Sequence, residues 1–202
     1  ADSVMKGLKG IISIWTGNTW IGFSTLFWKR NTGGRKMSVV IVYDSVFGNT
    51  EKIAEFIAEV FRQKHEVHLL HVSELNADVM KNAELFIAGS PTRAFAPTKN
   101  MVKALKNLKT NDQKHLYGAV FDTRMDIQNS NIRILKFLEK RKGYAADTME
   151  KILKEKGIPF ICGHEGFFVT ESEGPLMEGE TQRAKTWAGK IEAEMCKNEF
   201  IE

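Results

Sequence analysis

The chain has 202 residues, 43% of them hydrophobic and 27% charged, which is the composition of a globular domain large enough to bury a full core. Its two cysteines, Cys162 and Cys196, lie far apart in no Cys-x-x-Cys pattern, which excludes a disulfide scaffold and points to a reducing, cytoplasmic compartment. The net charge of +4 belongs to the first 36 residues; residues 37–202 carry 23 basic and 24 acidic side chains, net −1, and give no ground for nucleic-acid binding.

Residues 1–36 differ in kind from the rest of the chain. Trp15, Trp20 and Trp28 are all here, three of the four tryptophans in the chain. The apolar run 11–27 is broken by Thr16-Gly17-Asn18-Thr19, so it is too short and too polar at its middle for a membrane helix. Phe27-Trp28-Lys29-Arg30 gives no signal-peptide cleavage site. Gly33-Gly34-Arg35-Lys36-Met37 can be encoded by a purine-rich ribosome-binding sequence that runs into a start codon. Residues 1–36 therefore read as upstream read-through of the gene, and 37–202 as one domain that starts at Met37. The competing reading of 1–36 is a membrane-surface anchor.

From Met37 onward, strands and helices alternate. The run Val39-Val40-Ile41-Val42-Tyr43 predicts a buried strand, and 49–63 a helix with Ile53, Ile57, Val60 and Phe61 on one face. Residues 66–72 and 84–88 predict the second and third strands. Residues 98–108 predict a helix that aligns Met101, Val102, Leu105 and Leu108, with Pro97 near its start. Residues 116–121 predict the fourth strand, and 130–140 and 145–156 show helical patterns. Residues 159–162 together with 166–169 predict the fifth strand. The last helix, 179–196, carries a stripe of Ala184, Trp187, Ala188, Ile191 and Met195. Five strands that alternate with helices imply a parallel sheet covered on both faces.

The chemistry concentrates where strands hand over to helices. Ser45-Val46-Phe47-Gly48-Asn49-Thr50 joins the first strand to the first helix. Converging backbone N–H groups, the positive end of the helix dipole and two hydroxyls make such a loop an anion site. It has no Lys, so it is not the Gly-Lys-Ser/Thr type, and it lacks the spaced glycines of a dinucleotide fingerprint. It resembles the phosphate loop of flavodoxins, Thr/Ser-x-Thr/Ser-Gly-Asn-Thr. Ile87-Ala88-Gly89-Ser90-Pro91-Thr92-Arg93, Val120-Phe121-Asp122-Thr123-Arg124 and Glu165-Gly166-Phe167-Phe168-Val169 with Gly174-Pro175-Leu176 are similar to the family's later loops, in the right order. The resemblance spans 37 to about 191.

That resemblance implies a flavodoxin-like three-layer α/β sandwich with a five-stranded parallel sheet of order 2-1-3-4-5, of the short-chain type. It implies FMN as cofactor. Ser45, Asn49 and Thr50 would hold the phosphate with side chains, and Val46, Phe47 and Gly48 with backbone N–H groups. Pro91, Thr92, Arg93, Ala94 and Phe95, with the loop residues Asp122, Thr123 and Arg124, would flank the ring. Phe95 is the only aromatic in the second loop and the third has none, so the ring is expected to be less fully sandwiched. Arg93 or Arg124 would favour the anionic reduced flavin, against the competing reading of both as plain surface residues.

The function so implied is an electron carrier, monomer or homodimer, that serves a reductase and an acceptor protein. The alternative is an FMN-dependent NAD(P)H:quinone-type oxidoreductase with a second-substrate site in 125–144, where Asn129-Ser130-Asn131 and Lys140-Arg141-Lys142 stand. His68 and His71 should face opposite sides of a strand, so with His65 they make no metal site. His164-Glu165 reads as a loop cap rather than an acid/base pair. Lys99, Lys103, Lys106 and Lys109 line one helix face, solvated by default or suited to an acidic partner.

Overall fold

The computed structural model describes residues 35–109, 115–126 and 143–198. The expected leader 1–36 and the helical pattern at 130–140 fall almost wholly outside them. In chain order the elements are β1 (Ser38–Tyr43), α1 (Asn49–Arg62), β2 (Glu66–His71), a 3-10 turn (Val72–Glu74), α2 (Ala77–Met80), β3 (Leu85–Pro91), α3 (Lys99–Asn107), β4 (Tyr117–Met125), α4 (Ala145–Glu155), β5 (Glu165–Val169) and α5 (Glu180–Asn198). The strands form one sheet of order β2-β1-β3-β4-β5, parallel throughout. This is the flavodoxin-like α/β arrangement.

Strand β1 shows why the sequence folds this way. Its apolar residues are continuous, not alternating, because both faces of a parallel sheet are covered. Val39 and Ile41 point to one side, into a layer with Ile53, Ile57 and Phe61 of α1 and Trp187 and Ile191 of α5. Val40 and Val42 point to the other, against Met101 and Leu105 of α3 and Met149 and Leu153 of α4. Trp187 is the hinge pin of the first layer, edge-on to Phe121 and Phe167 at centroid distances of 6.1 and 6.2 Å. Gly89 in β3 has to be glycine, because a Cβ there would overlap the Phe121 ring.

Three expectations about extent are corrected. β3 and β4 do not stop at 88 and 121 but run on to Pro91 and Met125, pairing Ser90 with Asp122 and Pro91 with Thr123. Their ends are polar, which reads as loop, yet Ser90, Asp122 and Thr123 are buried and hydrogen-bonded. β5 holds only Glu165–Val169; residues 159–162 contribute a single bridge, Phe160 to Gly118. The 3-10 turn and α2 between β2 and β3 are additional. The His71 ring accepts from the Ser73 N–H and the Glu74 carboxylate from the His71 N–H to close the turn. The Asn76 side chain caps α2 by accepting hydrogen bonds from the N–H groups of Asp78 and Val79.

Candidate cofactor site

At the carboxyl ends of the strands lies a cavity of about 530 Å³, beside the crossover between β1 and β3 where the strand order reverses. A ligand in an open α/β sheet is expected at that edge. Four segments line it.

The first is the β1–α1 loop, which contributes Ser45, Val46, Phe47, Asn49 and Thr50. Gly48 is the residue before α1 and sits at φ 82°, a left-handed conformation that glycine adopts freely. It carries no side chain to cap the helix, so the first N–H groups of α1 have no side-chain acceptor. α2 and α3 differ, being capped by Asn76 and Thr98. The Ser45 hydroxyl is buried and has no hydrogen-bond partner among the described residues. Asn49 donates through Nδ2 to the Gly174 carbonyl (2.6 Å), which ties the loop after β5 to this helix start. The Thr50 and Thr123 hydroxyls share a buried 2.8 Å hydrogen bond. Val46 and Phe47 form an exposed apolar rim.

The second segment is Pro91, Thr92, Arg93, Ala94 and Phe95. Arg93 and Ala96 exchange two backbone hydrogen bonds (2.9 and 3.0 Å), closing a two-residue turn in which Ala94 (φ 48°) and Phe95 (φ 68°) are both left-handed. Such a turn prefers Asn-Gly. Here the strained pair aims Phe95 into the cavity wall, a cost of about 1 kcal/mol or more per residue that functional sites tend to retain. Arg93 is exposed, with its guanidinium 5.9 Å from the centre of the Phe47 ring.

The third segment departs from expectation. Thr123 and Arg124 line the cavity, together with Met125 and Asp126, but from the end of β4 and not from a loop. Asp122 does not line it. Its carboxylate is fully buried and accepts from the Thr92 hydroxyl (3.1 Å), the Ala146 N–H (2.9 Å) and Arg124 Nε (2.5 Å). Burial pushes the Asp122 carboxyl above its usual range, against the opposing pull of Arg124. Asp122 is thus a girder that locks β4, the loop after β3 and the start of α4. Arg124 is neither a free surface cation nor a free charge beside the cavity. It pairs with Asp122, packs over Gly166 so that no side chain fits there, and covers the Tyr144 ring at 3.6 Å.

Tyr144 comes from the residue before α4, and Val169 and Ser172 from β5 and the loop after it; with Met125 and Asp126 they complete the lining. The aromatic lining is therefore Phe47, Phe95 and Tyr144, richer than the second and third loops alone imply. The rule that ligands sit outside strand carboxyl ends could have pointed to 125–126 and 169–172. Tyr144 stands at the end of the 125–144 segment read as a possible second-substrate site, but nothing in the sequence singles it out as a wall of this cavity.

The remaining candidates resolve as structure. His164 pairs with Glu150 (2.6 Å) and approaches Asp147, while Glu165 pairs with Arg183. Burial raises the Glu150 carboxyl, but hydrogen bonds from Lys154 and His164 outweigh it and hold the group below normal. Burial pushes the Cys162 thiol up to about 11, so it is an inert thiol at neutral pH. Among the described residues no group of His, Cys, Asp and Glu is arranged to hold a metal ion, and no helix is long and apolar enough to cross a membrane.

The flavodoxin family model matches residues 41–188, well over half of the chain. No curated protein matches the sequence. Among solved structures, the rubredoxin:oxygen oxidoreductase of Desulfovibrio gigas is similar at 20% identity and TM-score 0.62, over 83% of this chain but only 38% of that one. The flavodiiron core of Synechocystis sp. PCC6803 is similar at 18% identity and TM-score 0.59, over 82% of this chain and 38% of that one. Flavodoxin 2 of Bacillus cereus is similar at 21% identity and TM-score 0.61, over 78% of this chain and 99% of that one. At these identities the likeness is one of fold.

Proposed function

The chain belongs to the flavodoxin family, and from that premise we propose that the cavity holds FMN and that the protein carries electrons between redox partner proteins. The observation that carries this reading is the uncapped start of α1 beside the buried, partnerless Ser45 hydroxyl. Unpaired donors at the positive end of a helix are what a phosphate dianion requires. The loop holds no Lys or Arg, so the stabilisation is dipolar, from backbone N–H groups and hydroxyls.

Bound FMN would supply one- and two-electron chemistry. The chain supplies position and surroundings. Ser45 and the N–H groups from Val46 to Thr50 would hold the phosphate. Asn49 acts one step removed, tethering the loop after β5, and Thr50 is oriented by Thr123. Phe47, Phe95 and Tyr144 would bound the ring. Because Asp122 compensates Arg124, Arg93 is the cation left to favour a reduced, anionic ring. The test is a visible spectrum during titration with FMN, followed by stepwise anaerobic reduction. Saturable perturbation of the flavin bands is expected, and an unperturbed spectrum would overturn the reading.

The alternative oxidoreductase depends on a site in 125–144, of which 127–142 fall outside the described residues. Steady NAD(P)H oxidation by the protein alone, with added quinone, would assign the chain to that reading instead.

A further inference from the structure

We propose that α3 and the turn before it form a docking surface for an acidic protein partner. Residues 92–109 carry five basic side chains and no acidic one, in a domain that is otherwise net acidic. On α3, Lys99, Lys103 and Lys106 follow one another at helical spacing and are all exposed. They rim a shallow groove of about 500 Å³ floored by Ala96, Pro97 and Val102. The groove begins immediately after the Ala94-Phe95 turn of the cofactor site, where exposed Arg93 extends the positive strip to the cavity mouth.

The strip works against the stability of its own helix. Like charges three and four residues apart repel, and Lys99 stands in the first turn, at the positive end of the dipole. α1, α2, α4 and α5 each place an acidic residue in that turn, and α3 has none. Lys64, Lys154, Lys185 and Lys197 pair with Glu192, Glu150, Glu59 and Glu194. The exposed lysines outside this stretch that make no ion pair among the described residues, Lys36, Lys52, Lys81, Lys151 and Lys190, stand singly on separate segments. Among the described residues, Lys99, Lys103 and Lys106 make no ion pair. Three uncompensated ammonium groups around an apolar floor complement a surface that presents carboxylates around a small apolar centre. The sidedness of the charge would steer that surface toward the cavity mouth.

This surface deepens the carrier reading, but its existence does not require bound flavin, so the two are tested apart. The isotope-labelled full chain is titrated with a plant-type ferredoxin as acidic probe and with cytochrome c as basic control, following backbone amide shifts. FMN absorption is measured on the same samples. Shifts confined to 93–107, strong at low salt and lost as ionic strength rises through about 0.15 M, are expected with ferredoxin and not with cytochrome c. Combined reversal, Lys99→Glu, Lys103→Glu and Lys106→Glu, should weaken ferredoxin binding by about tenfold or more while FMN binding is retained. The reversed chain should fold at least as well, because Lys99→Glu restores a carboxylate to the helix start. Shifts that map elsewhere, no binding, equal binding by the reversed variant, or equal binding of a short DNA duplex would overturn the proposal. Loss of FMN absorption with docking intact would overturn only the FMN reading.

Discussion

At the scale of single residues, the site holds groups whose present state costs free energy. The Ser45 hydroxyl is buried without a partner, a penalty of about 1–3 kcal/mol in the absence of ligand. Ser45→Ala should therefore leave the FMN-free protein as stable or slightly more so, while FMN binding weakens by about 1.5–3 kcal/mol, the value of a hydrogen bond to a charged group. Thermal melting of the FMN-free protein and a fluorescence titration with FMN check the two halves separately. Equal affinity in wild type and variant would remove Ser45 from the phosphate site. Ala94 makes a matching case in the backbone. At φ 48° it holds a Cβ in the unfavourable left-handed region, so Ala94→Gly should stabilise the FMN-free protein by about 1 kcal/mol. For a chain of this size that is a rise of about 2–4 °C in melting temperature. An unchanged or lowered Tm would mean that the turn is not strained.

At the scale of elements, the tail of β4 carries the site. Asp122 joins it to Thr92, to the start of α4 and to Arg124, which in turn packs on Gly166 of β5 and on Tyr144. Removing the carboxylate leaves a nearly buried guanidinium unpaired, so Asp122→Ala should cost about 3–5 kcal/mol in urea unfolding. The pH dependence has a definite sign. Burial raises the folded pKa of Asp122 above the unfolded value, so the native state holds this proton more tightly. The Asp122 contribution then falls as pH rises from the ordinary carboxylate range toward the raised value, opposite to a carboxylate stabilised in its charged form. Subtracting the stability-versus-pH curve of Asp122→Asn from that of wild type should expose this slope, and a difference that rises with pH would refute it. The same element explains what could be read from the sequence. The apolar stretches of β1, β3 and β4 and the stripes of α1, α3 and α5 declare themselves, because burial on a periodic face is a local pattern. The ends of β3 and β4 do not: Ser90, Asp122 and Thr123 are polar residues made tolerable in the interior by partners distant in sequence. Asp122 is legible as a site neighbour but not as a strut, and Tyr144 is legible only as the end of the 125–144 segment, since it meets Arg124 only in the folded chain.

At the scale of the whole molecule, each side of the sheet has its own apolar layer, and the cavity lies at the carboxyl ends of the strands, beside the β1–β3 crossover. Among the described residues, those that line the cavity all lie between Ser45 and Ser172. Among the described residues the buried core begins at Met37, which is 1% exposed and packs with Val39 and Ile41. No described residue before Met37 belongs to the core or to the lining. A chain that starts at Met37 keeps every described core and lining residue, and should fold cooperatively and bind FMN within about twofold of the full chain, since twofold is only about 0.4 kcal/mol. It should also lose its basic character, because residues 37–202 are net −1 where the whole chain is +4. Ferredoxin docking on α3 should survive the truncation, as the lysines responsible lie within the domain. Urea unfolding, FMN titration and the amide-shift titration on the shortened chain check the three statements. If the shortened chain binds FMN but no longer docks ferredoxin, the positive charge that draws in the partner resides in the first 36 residues and not in α3. If it fails to fold, the domain boundary at Met37 is wrong.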